Sequence, residues 1–89
     1  MVGKGIVYDT GGLSIKLPPN MCSMKTDMGG SAACLGAFDC LVRKGGLRVP
    51  VHALLCIAEN AVDAVSTRPD DVHILLSGKV VFVCVFVTD

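Results

Sequence analysis

The chain carries the tetrad Asp-x-Gly-Gly twice in its first 30 residues, as Asp9-Thr10-Gly11-Gly12 and as Asp27-Met28-Gly29-Gly30. Each tetrad separates one kind of patterning from another, and this limits the folds available. Ile6, Val7 and Tyr8, β-branched or aromatic, run into the first, which predicts a short strand over 5–8 stopped by a turn. From the second onward, Met28, Ala32, Leu35, Phe38 and Val42 follow helical spacing, with Asp39 and Arg43 four apart on the polar side. A helix over 28–44 is therefore expected, ended by Gly45-Gly46.

Between the tetrads, residues 10–26 show little periodicity, and Pro18-Pro19 argues against a regular helix there. An irregular stretch of this length inside a small unit reads as a functional loop rather than a linker. Downstream, residues 51–58 are almost continuously apolar, the pattern of a strand buried on both faces of a parallel sheet. Strand, helix and strand in that order imply a right-handed crossover and the α/β class. Residues 59–70 are polar and turn-rich. Val72-His73-Ile74-Leu75-Leu76 and Val80-Val81-Phe82, joined by Ser77-Gly78-Lys79, read as a hairpin. The expected architecture is a fragment of a mixed, mainly parallel sheet flanked by helices, running strand, loop, helix, strand and then hairpin.

Composition narrows the function classes. A chain of 89 residues has room for one small domain, yet 52% of it is apolar and only 18% charged. A domain this small buries only about two-thirds of its unfolded surface, so the surplus reads as surface made for neighbours. Eight basic residues balance eight acidic ones, which leaves no basic field for a phosphate backbone or an anionic membrane. The five cysteines are odd in number and lack C-x-x-C spacing, which argues against a disulfide framework or a thiolate zinc site. Buried free thiols in a reducing compartment are expected instead. With no charged-then-apolar leader, and a longest apolar run (80–87) too short to span a bilayer, the expected location is the cytoplasm. Neither a G-x-G-x-x-G nor a Walker pattern is present, and His52 and His73 lack H-E-x-x-H spacing. No serine sits in a nucleophile elbow.

Ligands of α/β sheets gather at the carboxyl ends of strands, and Asp9 ends the first. By spacing alone Asp9 also reads as a turn residue and Asp27 as a helix N-cap. Lys4 and Lys16 read as solvated lysines, and Met24 as a core methionine. Taken together, Gly3-Lys4-Gly5, the tetrad at 9–12, Ser14-Ile15-Lys16 and Met24-x-x-Asp27-x-Gly29-Gly30 resemble, without a gap, the metal-binding core of the leucyl (cytosol) aminopeptidase family. The resemblance is to its aminopeptidase-like branch and covers residues 2–79.

That resemblance implies a dinuclear metallopeptidase that removes N-terminal amino acids from peptides, using two divalent ions (zinc, manganese or magnesium). Lys4, Asp9 and Asp27 correspond to metal ligands, with Asp9 bridging both ions. Lys16 corresponds to a protonated catalytic lysine that polarises the scissile carbonyl and stabilises the oxyanion. Met24 corresponds to a residue of the substrate pocket. An amine binds metal only as the free base, so the metal must supply roughly 4–5 kcal/mol to deprotonate an ordinary lysine at pH 7. Family members are homo-oligomers, typically hexamers.

The family's remaining ligands lie in an Asn-Thr-Asp-Ala-Glu-Gly-Arg segment, and these 89 residues contain none. After Lys79 the chain runs through a divergent apolar tail (80–89) that ends in Thr88-Asp89, and Asp89 is not counted as a ligand. The expectation is a partial catalytic domain over 1–79, inactive by itself. An alternative is a non-catalytic fragment that binds metal weakly or associates with full-length aminopeptidase subunits. The run at 80–87 also has the profile of an aggregating segment.

Overall fold

The structure is a computed structural model and describes residues 1–83. Its elements are β1 (Val2–Asp9), α1 (Pro18–Met21), a 3₁₀ turn (Met24–Thr26), α2 (Gly29–Lys44), β2 (Leu54–Asn60), β3 (Val72–Ile74) and β4 (Val80–Phe82). β1 and β2 pair in parallel, Val2 opposite Leu54 and Ile6 opposite Ala58, with α2 as the connection between them. β3 and β4 form an antiparallel hairpin, with Ile74 opposite Val80. The chain is thus α/β, in the element order that its patterning predicts.

Glycine sets how closely α2 can lie on β1. A Cβ on Gly3 would stand 2.5 Å from the Gly30 carbonyl oxygen, and one on Gly5 would stand 2.5 Å from Ser31 Oγ and 2.8 Å from the Cys56 carbonyl oxygen. From the helix side, a Cβ on Gly30 would come 2.9 Å from the Lys4 nitrogen. No side chain fits these contacts, so backbone meets backbone. Ser31 seals the junction: it is buried, and its Oγ donates to the Gly3 carbonyl at 2.7 Å. A hydrogen bond of this kind contributes about 1 kcal/mol net, and its loss would leave a buried acceptor unpaired.

α2 begins after Met28, which caps it without a side-chain bond, and ends where Gly45 takes φ +67°. Arg43 and Lys44 occupy the last turn, where positive charge suits the helix dipole. Arg43 Nε donates to Asp39 Oδ2 at 2.7 Å, the exposed four-apart pair read from the sequence. Such pairs contribute about 0.3–0.5 kcal/mol.

Several expectations need correction. β2 starts later than predicted and is largely exposed, because β1 is its sole strand partner among the described residues. Cys22, Cys40 and Cys56 are exposed and Cys34 is half-buried, so the thiols are free but not buried. His52 precedes β2 rather than lying within a strand, whereas His73 is on β3. The two prolines do not exclude helix: Pro18 starts the single turn α1, where its missing N–H is no loss. Cys84, the rest of the run at 80–87, Thr88 and Asp89 lie outside the described residues.

Among the described residues no apolar side chain is fully buried. The accessible surface is 7008 Å², against about 5,000 Å² for a compact protein of this mass. Leu54 and Ile57 on β2 and Leu35 and Val42 on α2 all stand exposed. The unit is held by backbone contact and polar bonds more than by an apolar core.

Candidate metal site

Asp9 closes β1 opposite Asn60, which closes β2. Between Ile6 and Asp9 the register slips by one residue: three steps on β1 answer two on β2, from Ala58 to Asn60. This bulge re-aims the end of the strand. The Asp9 carboxylate is held from several sides. Its Oδ1 accepts the Gly11 N–H at 2.9 Å and the Asn60 Nδ2 amide at 2.8 Å, and its Oδ2 lies 3.6 Å from Lys16 Nζ. Gly11 turns at φ +88°, which brings its N–H back to the carboxylate. Partial burial works against ionisation of Asp9, but the Gly11 N–H, the Asn60 amide, the Lys16 ammonium and a contact with Asp27 outweigh it. Together they hold the carboxyl below its ordinary value.

Asp27 follows the 3₁₀ turn, its N–H bonded to the Met24 carbonyl at 3.2 Å. It is not the N-cap of α2, a position Met28 takes. Asp27 Oδ1 pairs with Lys4 Nζ at 2.9 Å. The Lys4 side chain is 61% exposed, so the pair contributes about 0–1 kcal/mol. Asp27 Oδ2 is buried and accepts no hydrogen bond. Lys16 is returned to the site by its own N–H, which donates to the Thr10 carbonyl at 2.8 Å and closes the loop over 10–16.

The structure therefore brings Lys4, Asp9, Lys16 and Asp27 into one cluster. Met24 stands half-buried at the start of the 3₁₀ turn, three residues before Asp27. Among the described residues no three His, Cys, Asp or Glu side chains gather. The donor set is two carboxylates and an amine, and lysine is the third donor. This set fits a divalent cation: hard oxygen donors converge, and one of them is a buried carboxylate oxygen without a partner, an arrangement costly unless a cation meets it.

One residue of the cluster is absent from the sequence reading. Asn60 binds Asp9 from 51 residues away, and its carbonyl accepts from Thr10 N at 3.0 Å and Thr10 Oγ1 at 2.6 Å. The available signal was positional: Asn60 is the second of two polar residues, Glu59 and Asn60, that follow the apolar run 51–58, at the carboxyl end of a strand parallel to β1.

The frame is an α/β layer with one carboxylate, Asp9, at the carboxyl end of β1 and a second, Asp27, brought beside it from the turn before α2, and comparison with known proteins gives the class to which it belongs. The sequence profile of the cytosol aminopeptidase family, catalytic domain, matches residues 1–87, so the chain belongs to that family. It is 59% identical over 80 residues to probable aminopeptidase NPEPL1 of Mus musculus, covering 90% of this chain and 15% of that protein. The solved leucine aminopeptidase LAP1 of Caenorhabditis elegans superposes with a TM-score of 0.83 at 53% identity, over 91% of this chain and 16% of that one. The leucyl aminopeptidase of Leishmania major, solved with actinonin, gives 0.75 at 48% identity, over 90% and 16%. The chain thus spans about a sixth of the length of the relatives it matches. No helix among the described residues is long and apolar enough to cross a membrane.

Proposed function

We propose that these residues form one half of the metal centre of a dinuclear metallo-aminopeptidase, which hydrolyses N-terminal amino acids from peptides. Lys4, Asp9 and Asp27 would hold one ion, and Asp9 is the residue that would serve the second as well. The observation that carries this reading is Asp27 Oδ2, buried and unpartnered beside Lys4 and Asp9. When bound, the two ions (zinc, manganese or magnesium) supply an activated water and polarise the scissile carbonyl. Asp9 and Asp27 fix where positive charge sits. Lys4 would hold the ion through Nζ as the free amine, in place of its ion pair with Asp27 and with its proton passed to solvent. Lys16, held next to Asp9, would donate to the oxyanion that develops on the substrate carbonyl. Met24 lines the pocket for the first side chain of the peptide.

The parent enzyme, on this reading, is cytoplasmic and a homo-oligomer, in keeping with the family's name and habit. The 89 residues by themselves lack the second ligand segment and turn over no substrate. Isothermal titration with zinc and manganese, beside the double variant Asp9→Ala, Asp27→Ala, tests the reading. Uptake of about one ion, lost in the double variant while its amide spectrum stays folded, is expected. Uptake that ignores the double substitution would refute the half-site, and turnover of a leucyl chromogenic substrate that Asp27→Ala abolishes would refute the claim of inactivity.

A further inference from the structure

We infer that Asn60 is a positioning residue for the site: it fixes the orientation of the Asp9 carboxylate and so leaves Oδ2 as the oxygen that faces a cation. The inference rests on the metal-site reading of Asp9 and deepens it.

Asp9 Oδ1 takes two donors, the Gly11 N–H at 2.9 Å and Asn60 Nδ2 at 2.8 Å. One comes from the turn that follows β1, the other from the neighbouring strand. Two donors on one oxygen from different segments stop the carboxylate from rotating about its χ2 bond, a torsion that is otherwise broad. Oδ2 then faces the Lys16 ammonium at 3.6 Å, with Asp27 beside the carboxylate. Asn60 is itself anchored, because its carbonyl accepts both the N–H and the hydroxyl of Thr10. Its side-chain oxygen lies 3.2 Å from where a Cβ on Gly12 would stand, so the buried glycine makes room for the amide.

The residue type matters. An amide donates without carrying charge, so it holds Asp9 without neutralising the negative charge that a cation requires. A lysine or arginine would compete with the metal, and an aspartate would turn a lone pair toward Asp9. Partners that orient a metal ligand in this way typically account for 10- to 100-fold in metal affinity.

The test compares the chain with Asn60→Ala and with Ile57→Ala, an exposed position on the same strand. Two quantities are read: manganese affinity by calorimetry, and the hydrogen-exchange rate of the Gly11 amide, which donates to Asp9 Oδ1, in the metal-free protein. Asn60→Ala is expected to weaken manganese binding on the order of 10- to 100-fold and to speed exchange at Gly11 as the carboxylate turns, whereas Ile57→Ala does neither. Gly11 exchange unchanged in Asn60→Ala would overturn the positioning role, whatever the metal does. Exchange that speeds up in a protein whose parent binds no manganese would uphold Asn60 and sink the metal site. Should Asn60→Ala unfold, exchange of the two Asn60 Nδ2 protons in the unaltered chain decides. Slowed exchange of one proton supports the bond, and solvent-like exchange of both overturns it.

Discussion

In the β1–α2–β2 layer the groups that touch are remote in sequence, with Ser31 reaching Gly3 across 28 residues and Asn60 reaching Asp9 across 51. In the β3–β4 hairpin the bonds are local: Leu75 N–H to the Lys79 carbonyl, Gly78 N–H to Leu75, Asp70 N–H to Val83. Every residue of the two hairpin strands is exposed. Remote contacts cost loop entropy before they stabilise anything, so the site layer should form and fail as one piece. A lone two-stranded hairpin is marginal and fails by itself. The charged cluster belongs to the first kind of structure because its members come from three separate segments, β1, the loop that follows it and the turn before α2, to which Asn60 of β2 adds a fourth.

The largest effect is expected from Gly5→Val. Its Cβ would meet Ser31 Oγ and the Cys56 carbonyl together, and overpacking there should cost about 3 kcal/mol. Amide dispersion across β1, α2 and β2 should be lost along with metal uptake, while signals of the hairpin at 72–82 stay in place. A hairpin that melts in step would break the contrast. Ser31→Ala removes the seal without adding bulk. A loss of about 1–2 kcal/mol is expected, seen as faster amide exchange in β1 and α2 alone. Equal acceleration in the hairpin would show that the two regions share one cooperative unit.

Acid gives the smallest effect. Asp71 lies below the ordinary carboxyl value, chiefly because it accepts the Arg68 backbone N–H, aided by the Arg68 guanidinium. Since the folded value is the lower one, this contribution is present above about pH 4 and is lost as pH falls through the folded value. The Arg68 amide should therefore lose protection only in acid below the ordinary range, with little change in β3 and β4. Loss already at pH 5 would contradict that sign.

Sequence patterning gave the element order because local signals decide it: tetrads that stop a strand and start a helix, and a turn at 77–79 between apolar runs. The cluster of Lys4, Asp9, Lys16 and Asp27 was legible through the family resemblance that these residues carry together, since by spacing alone they read as a turn residue, a cap and solvated lysines. Asn60 was not, because its role depends on strand register, which no local pattern encodes. The burial of β2 was misread for a related reason. Apolar composition records the neighbours that a strand is built to meet, and among the described residues β1 is the strand that meets it. The exposed thiols at Cys22, Cys40 and Cys56 follow from the same shortage of covering structure.

Lys4 and Asp9 are five residues apart, an odd number, and side chains an odd number apart on a regular strand point to opposite faces. The one-residue slip between Ile6 and Asp9 absorbs the odd step, so that five behaves as four. Spacing and slip are therefore a single device. Ironing the strand straight would alter no residue of Gly3-Lys4-Gly5 or Asp9-Thr10-Gly11-Gly12, yet it would send Lys4 and Asp9 to opposite sides of the sheet and take Asp9 out of line with Asn60. The same letters would then spell a chain with no site.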